Sequence, residues 1–236
     1  MPILFRDANV VHVGTWATIP AANTVPVDSE AHVTDILSGE YTGRTLMYSD
    51  GTNWRFYQET PVFIRSTSVN GAASATEQIA NDFRWRAPVG LLVVGRIITL
   101  SLGVGKFGAS DVNDVALGVT NTLTLGIRIG INGTTADATD NASQPFGFFN
   151  LGSALAAGNR SNGFIGRAVI SAATTLQKFG SGYGGGSYGS ATSGRPDGTI
   201  TIPNVSSNAN YFTPTLTPNG TTDLPVWADM LVTLMN

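Results

Sequence analysis

The chain has 236 residues, of which only 12% are charged, and its formal net charge is −3. The low charge and the 42% share of hydrophobic residues exclude a disordered chain, and the length suffices to bury a core. The net charge excludes a broad basic field for nucleic acid or anionic lipid, and the lack of cysteine excludes disulfides and thiolate metal sites. The 28 glycines and many uncharged polar residues are typical of an all-β protein rich in turns.

The sequence predicts neither a secretory signal nor a membrane span. Residues 1–7 contain no basic segment followed by a long apolar one. The most apolar run, at 88–105, is interrupted by Arg96 and by glycines, so it is too short and too broken for a membrane helix. We therefore expect no membrane insertion.

Residues 1–65 differ in composition from the rest of the chain and predict a small unit of short strands. Asp50 and Gly51 are a strong hairpin-turn signal, because glycine adopts positive φ without steric cost. Aromatic residues lie on both sides of that turn, which is typical of a compact docking module rather than a catalytic one. The predicted strands of this unit lie at 33–37, 45–49 and 62–65.

Residues 66–81 are small and polar, and we predict a linker there. From residue 82 onward, apolar segments recur at a spacing that predicts an antiparallel β-sandwich or jelly roll over 82–236. The alternation is clearest at 122–131, where one face would hold Leu123, Leu125, Ile127, Ile129 and Ile131. The predicted strands lie at 91–102, 122–131, 146–151, 163–171, 173–179, 199–202 and 226–235.

The segment 180–198 is rich in glycine and is predicted to be a long loop between two sandwich strands. Tyr183 and Tyr188 could stack on a sugar, with Arg195 supplying hydrogen-bond donors. The alternative is a loop that packs between protomers or moves freely at the surface, and the sequence favours that alternative.

The residues that could support catalysis do not form a credible set, so we expect no enzyme activity, no cofactor and no metal. Both histidines, His12 and His32, lie in the small N-terminal unit, away from any cleft of the sandwich. Two carboxylate pairs are suited to capping turns, although glycoside hydrolysis or calcium binding would also use such groups. These pairs are Asp111 with Asp114 and Asp137 with Asp140.

Arginine is conspicuous at Arg84, Arg86 and Arg128 in a chain so poor in charge. Trp85 between two arginines could form a stacking patch for nucleic acid. Because the net charge is negative and no other basic cluster exists, pairing between subunits or contact with a neighbouring protein is the favoured interpretation.

Several segments resemble those of known bacteriophage proteins. Residues 14–18, 31–35 and 48–55 resemble the opening module of many phage tail-fibre and virion-appendage proteins. Residues 88–92, 125–130 and 133–137 resemble a β-sandwich common in the same proteins. That sandwich is usually a jelly roll and often trimeric, so the resemblance implies a homotrimer.

The resemblance implies a structural protein of the virion that is made in the host cytoplasm and assembled on the particle surface. Residues 1–65 would attach it to other virion proteins, and 82–236 would project outward as a fibre or capsid decoration. Residues 91–102 or 226–235 would supply part of the trimer interface. A tail fibre that recognises a bacterial surface glycan is the alternative, and head or tail location stays open. The docking residues would be the aromatic residues Trp16, Tyr48, Trp54 and Phe56.

Overall fold

The computed structural model is almost entirely β. It describes residues 11–72, 74–108, 123–134, 137, 149–151, 162–184, 197–218 and 223–236. Within these ranges the only helices are two single 3₁₀ turns, at Ala22–Thr24 and Asn81–Phe83. No helix in the described part of the chain is long and apolar enough to cross a membrane. The all-β prediction is therefore confirmed.

The strands are numbered in chain order. Those of the first half are β1 Val11–Gly14, β2 Glu30–Val33, β3 Ser38–Gly39, β4 Thr45–Ser49, β5 Trp54–Phe56, β6 Thr60–Arg65, β7 Val69–Asn70, β8 Gln78–Ile79, β9 Trp85–Ala87 and β10 Ile97–Gly108. Those of the second half are β11 Leu123–Gly130, β12 Phe149–Leu151, β13 Asn162–Ala172, β14 Thr175–Gly184, β15 Asp197–Thr201, β16 Asn210–Pro218 and β17 Asp223–Met235.

The strands form three sheets. The N-terminal sheet has the order β1-β2-β4-β5, and its first pair is parallel. The large sheet has the order β15-β14-β13-β10-β17-β6-β3, with β7 also pairing β17. The third sheet has the order β12-β11-β16-β8, with β9 also pairing β16. Apart from a parallel contact between β3 and β6, the two larger sheets are antiparallel.

One continuous core lies between the sheets. The large sheet contributes Leu100 and Val232, and the third sheet contributes Phe212 and Leu216, all fully buried. The strands β16 and β17 of these two sheets pack against each other. The predicted β-sandwich is therefore confirmed, because two antiparallel sheets enclose a shared apolar layer.

The predicted hairpin around Gly51 is confirmed. Strands β4 and β5 pair in an antiparallel register that places Ser49 opposite Trp54, and Gly51 has a φ of +88°. Asp50 closes the turn, because its Oδ1 accepts the backbone N–H groups of Thr52 at 2.8 Å and Asn53 at 2.7 Å. An aspartate that accepts amides two and three residues ahead is a common turn stabiliser.

Three predicted strands differ from the structure. Of the predicted strand at 33–37, only Val33 is in a strand, at the end of β2, and residues 34–37 form bends. The other two differ at their ends. The run at 91–102 begins as turns, where Gly90 and Gly95 have φ values of +74° and +88°, and strand β10 starts only at Ile97. In the alternating segment, Ile127 and Ile129 are buried as predicted, but Ile131 is 53% exposed because β11 ends at Gly130.

The predicted boundary between an N-terminal module, a linker and a sandwich is wrong in structural terms. Strand β6, at the end of the predicted module, pairs with β17 in the middle of the large sheet. The predicted linker 66–81 contributes β7 to the large sheet and β8 to the third sheet. Small polar residues can occupy short strands when backbone pairing, rather than side-chain burial, holds them in place.

Candidate functional site

Two of the four predicted docking residues face the protein interior. Trp54 is 5% exposed and Phe56 is 3% exposed, and both lie on the inner side of the N-terminal sheet with Met47. The indole Nε1 of Trp54 donates a hydrogen bond to the carbonyl of Pro20 at 2.9 Å. The prediction that Trp54 and Phe56 form a docking surface is therefore wrong, since a buried side chain cannot anchor a partner.

Tyr48 lies on the outer side of the same sheet. Its ring packs against that of Tyr57 with the centroids 4.9 Å apart, and the hydroxyl of Tyr57 donates to Glu30 Oε1 at 2.9 Å. Tyr57 itself is 52% exposed. Of the predicted docking residues, Tyr48 is thus the one that the structure places beside exposed aromatic surface.

The outer side of the N-terminal sheet carries several exposed apolar side chains. Two rows of residues cross strands β1, β2 and β4 on this side. One row is Val11, Glu30 and Tyr48, and the other is Val13, His32 and Leu46. Val11 is 50% exposed, Val13 60% and Leu46 43%. We call Val11, Val13, Leu46, Tyr48 and Tyr57 the outer face. Sequence analysis missed its valines, although the alternation Val-His-Val at 11–13 is a strand signal.

Trp16 is half-buried at the junction of the sheets. Its backbone N–H donates to Asp35 Oδ1 at 2.6 Å, and its indole Nε1 donates to the carbonyl of Val89 at 2.8 Å. Both bonds cross between segments distant in sequence, so Trp16 positions chain segments and does not belong to the outer face.

The predicted loop at 180–198 is partly strand. Tyr183 lies in β14 and pairs with Phe164 of β13, so at this position the chain is extended rather than looped. A glycine-rich segment can continue a strand when its backbone groups are paired on a neighbouring strand. Tyr188 and Arg195 lie outside the described residues.

The two histidines do not form a site together. His12 faces inward and packs edge-on against Trp54 at a centroid distance of 6.2 Å, whereas His32 faces outward between Val13 and Leu46. Among the residues the structure describes, no three His, Asp or Glu side chains are grouped so that they could hold a metal ion.

Asp137 caps a turn, as predicted. It is 5% exposed and accepts the backbone N–H groups of Asn132 at 2.8 Å, Gly133 and Thr134 at 3.3 Å. Three amide donors satisfy most of the acceptor sites of the carboxylate, which allows its burial. The other predicted carboxylates, Asp111, Asp114 and Asp140, lie outside the described residues.

Trp85 is not available to stack on a base. Trp85 is fully buried against Phe212, with ring centroids 5.0 Å apart. Arg128 forms a two-point ion pair with Glu77 of the same chain, through Nε at 2.6 Å and Nη2. Arg128 therefore has a carboxylate partner within its own chain, in the segment that the sequence predicted to be a linker.

Arg96 joins the N-terminal sheet to the large sheet. Its guanidinium is fully buried and donates to the carbonyls of Leu91 and Trp54, the latter at 2.5 Å, and to Asn236 Oδ1 at 3.1 Å. It also lies 4.7 Å from the ring centroid of Phe56. Burial lowers the pKa of Arg96 to about 9, so the group stays cationic at neutral pH.

Glu40, which follows β3, accepts hydrogen bonds from the segment that follows β6. Its Oε2 accepts the hydroxyl of Ser66 at 2.5 Å and the N–H of Ser66 at 2.8 Å, and its Oε1 accepts the N–H of Thr67 at 2.8 Å. Arg65 lies 3.3 Å from the same carboxylate. The hydrogen bonds from Ser66 and Thr67 lower the pKa of Glu40 from its ordinary 4.5 to about 2.

This pKa predicts an acid-sensitive contribution to stability. Between pH 4.5 and about 2, the unfolded chain binds a proton at Glu40 that the folded protein does not, so acid favours unfolding. The contribution is complete above pH 4.5 and is lost as the pH falls through 2. We expect Glu40→Gln to reduce the slope of unfolding free energy against pH in this window, measured by urea unfolding. Equal slopes for the two proteins would contradict the assignment.

Comparison with known proteins gives no family assignment. No protein-family model matches the chain, and no curated protein matches it. Solved structures of a fructofuranosidase from Schwanniomyces occidentalis align over 88% of this chain and 39% of theirs. Sequence identity to this chain is 9% for the complex of an enzyme variant with fructosylnystose and 8% for the complex with fructosyl-erythritol, each with a TM-score of 0.27. For the complex with fructose, the identity is 10% and the TM-score is 0.25. TM-scores this low establish no shared fold.

Proposed function

We propose that this protein is a structural component of a bacteriophage particle, a fibre or capsid decoration that docks through its N-terminal sheet. The two larger sheets project from the particle surface, and the protein assembles as a homotrimer. The sequence resemblance to virion appendages, the all-β fold and the low surface charge support this proposal. Its mechanism is binding between proteins rather than catalysis.

The outer face is the observation that supports docking best. Its members Val11 and Val13 on β1 and Leu46 on β4 are all more than 40% exposed, and Glu30 and His32 of β2 lie between them. Several exposed apolar side chains on one side of a sheet are typical of a surface that meets another protein. Arg55 lies on the same side, on the edge strand β5, and polar residues usually rim such an interface.

One side of the strands in the predicted trimer interface is buried within the chain. Residues 91–102 and 226–235 supply apolar side chains to the core, as the full burial of Leu100 and Val232 shows. The opposite side of the large sheet carries Leu231, which lies within 226–235, and Ile165, and both lie opposite Ser101 on neighbouring strands. In the proposed trimer, contacts would involve this side, where Leu231 is 36% exposed and Ile165 45%.

A matched pair of substitutions tests the docking proposal. Val13→Lys places a charge at the most exposed apolar position of the outer face, whereas Val94→Lys makes the same change at a position 55% exposed, outside that face. We expect Val13→Lys to reduce incorporation into particles at least about tenfold, since a charge desolvated in an apolar interface costs more than 1.4 kcal/mol. Val94→Lys should incorporate normally.

The measurement is quantitative immunolabelling of purified phage particles from cells that express each variant. Circular dichroism confirms that both variants are folded. If wild-type protein is absent from purified particles, the virion proposal fails. If both variants are incorporated equally, the protein is a virion component that docks through another surface.

A further inference from the structure

A cleft of about 470 Å³ lies where the three sheets meet. Trp16 and Asp35 line it from the N-terminal sheet and its loops, Ser38 and Phe63 from the large sheet, and Arg84 and Arg86 from the third sheet. A volume of several hundred cubic ångströms is typical of small-molecule sites, which occur preferentially between structural units. This cleft is separate from the outer face.

The two arginines are available for an anion. Neither Arg84 nor Arg86 forms an ion pair with any carboxylate of the described residues, in contrast to Arg55, Arg65 and Arg128. They are two residues apart on an extended segment, with the buried Trp85 between them, so both point away from the core on the same side. Unpaired guanidinium groups that line one cleft favour a ligand with a carboxylate or similar anion.

One of these arginines is already fixed in place. Arg84 donates from Nη1 to the carbonyl of Gly133 at 2.8 Å and from Nε to the carbonyl of Asn81 at 3.2 Å, which leaves Nη2 without a partner in the described structure. Arg86 is exposed, and its guanidinium lies 5.9 Å from the ring centroid of Tyr211. Because Arg84 is already fixed, less ordering entropy is lost when a ligand binds to it.

The remaining lining favours a sugar over a simple anion. Asp35 uses one carboxylate oxygen to accept the N–H of Trp16, and the other accepts no hydrogen bond from the described residues. Sugar hydroxyls both donate and accept, so a free carboxylate oxygen and free guanidinium groups suit them together. Trp16 adds aromatic surface, on which the apolar face of a sugar ring packs.

We infer that this cleft binds an acidic saccharide, with its carboxylate at Arg84 and Arg86, its hydroxyls at Asp35 and its ring beside Trp16. Binding at the cleft is independent of the proposed virion role, because neither the outer face nor particle assembly contributes to it. Failure of one proposal therefore leaves the other intact.

The test is isothermal titration calorimetry of the purified full chain with trigalacturonate and 3′-sialyllactose, against neutral maltotriose and lactose. We expect both acidic sugars to bind and the neutral ones to bind at least about tenfold more weakly, because one charge-assisted contact contributes at least that much. Added salt should weaken the binding of the acidic sugars. If no acidic sugar binds, or if neutral sugars bind equally well, the inference is wrong.

Two arginine variants place the ligand in the cleft. Arg86→Gln should weaken binding of the acidic sugars about tenfold or more, whereas Arg44→Gln changes the net charge equally at an exposed position outside the cleft and should have no effect. Equal losses in the two variants would show a general charge effect and overturn the site. A tetraglutamate peptide that binds as tightly as the sugars would also overturn it, in favour of an acidic peptide.

Discussion

Trp54→Ala is expected to destabilise the protein by about 3–5 kcal/mol, the range for removal of a buried aromatic side chain. The indole lies within the core beside Met47 and Phe56, and its loss would also leave the carbonyl of Pro20 without its donor. Urea unfolding followed by circular dichroism measures the change. The sequence alone predicted a loss of attachment instead, because a tryptophan beside a turn resembles a surface anchor.

Two further variants separate burial from docking. Trp54→Phe keeps most of the apolar volume and removes only the N–H donor, so it should cost about 1–3 kcal/mol. Tyr41→Ala, at a position 54% exposed, should change stability by less than about 0.5 kcal/mol. If Trp54→Ala were as stable as the wild type but failed to join particles, the side chain would be a docking residue after all.

The strands that could be predicted from sequence are those with a clear local signal. The hairpin at Gly51 follows from its turn residues, and β13, β14 and β17 lie close to the predicted segments. In each case the period-2 pattern or the turn chemistry agrees with the final fold, so local and tertiary preferences reinforce each other. The short strands β7 and β8 have no such signal, because tertiary pairing alone determines them.

Strand β16 shows why a central strand can escape prediction. It contains Pro214, and proline within a run usually indicates an edge strand or no strand. In the structure β16 is central, but β9 pairs only with its residues 210–212 and β8 only with 215–216. Pro214 falls in the gap between these two partners, where a missing N–H breaks neither pairing.

The candidate sites could be predicted only where they depend on local sequence. Turn capping by Asp137 follows from its glycine- and threonine-rich neighbours. The cleft could not be predicted, because Asp35, Phe63 and Arg86 meet only after three sheets assemble. The side of the sheet on which an aromatic residue lies depends on strand register, and a one-residue shift would exchange Tyr48 with Met47.

Arg96→Ala is expected to destabilise the protein by about 3–5 kcal/mol, comparable with the loss of a partner from a buried charged network. The substitution leaves the carbonyls of Leu91 and Trp54 buried without donors, and it opens a cavity beside Phe56. Because Arg96 also holds Asn236, which donates to the carbonyl of Phe56 at 2.5 Å, the N-terminal sheet should detach first. Hydrogen exchange should show faster exchange in β4 and β5 than in β10 and β17.

Arg55→Ala is the matched control. Arg55 pairs with Asp50 at 2.6 Å at the surface, where its side chain is 22% exposed, so its loss should cost about 1 kcal/mol or less. Arg96→Met distinguishes the charge from the packing, because it fills most of the volume without hydrogen bonds. If the orphaned carbonyls dominate, Arg96→Met will remain well below the wild type in stability. If the desolvated guanidinium is the larger cost, Arg96→Met will equal or exceed the wild type, and the sheet junction will depend on apolar packing alone.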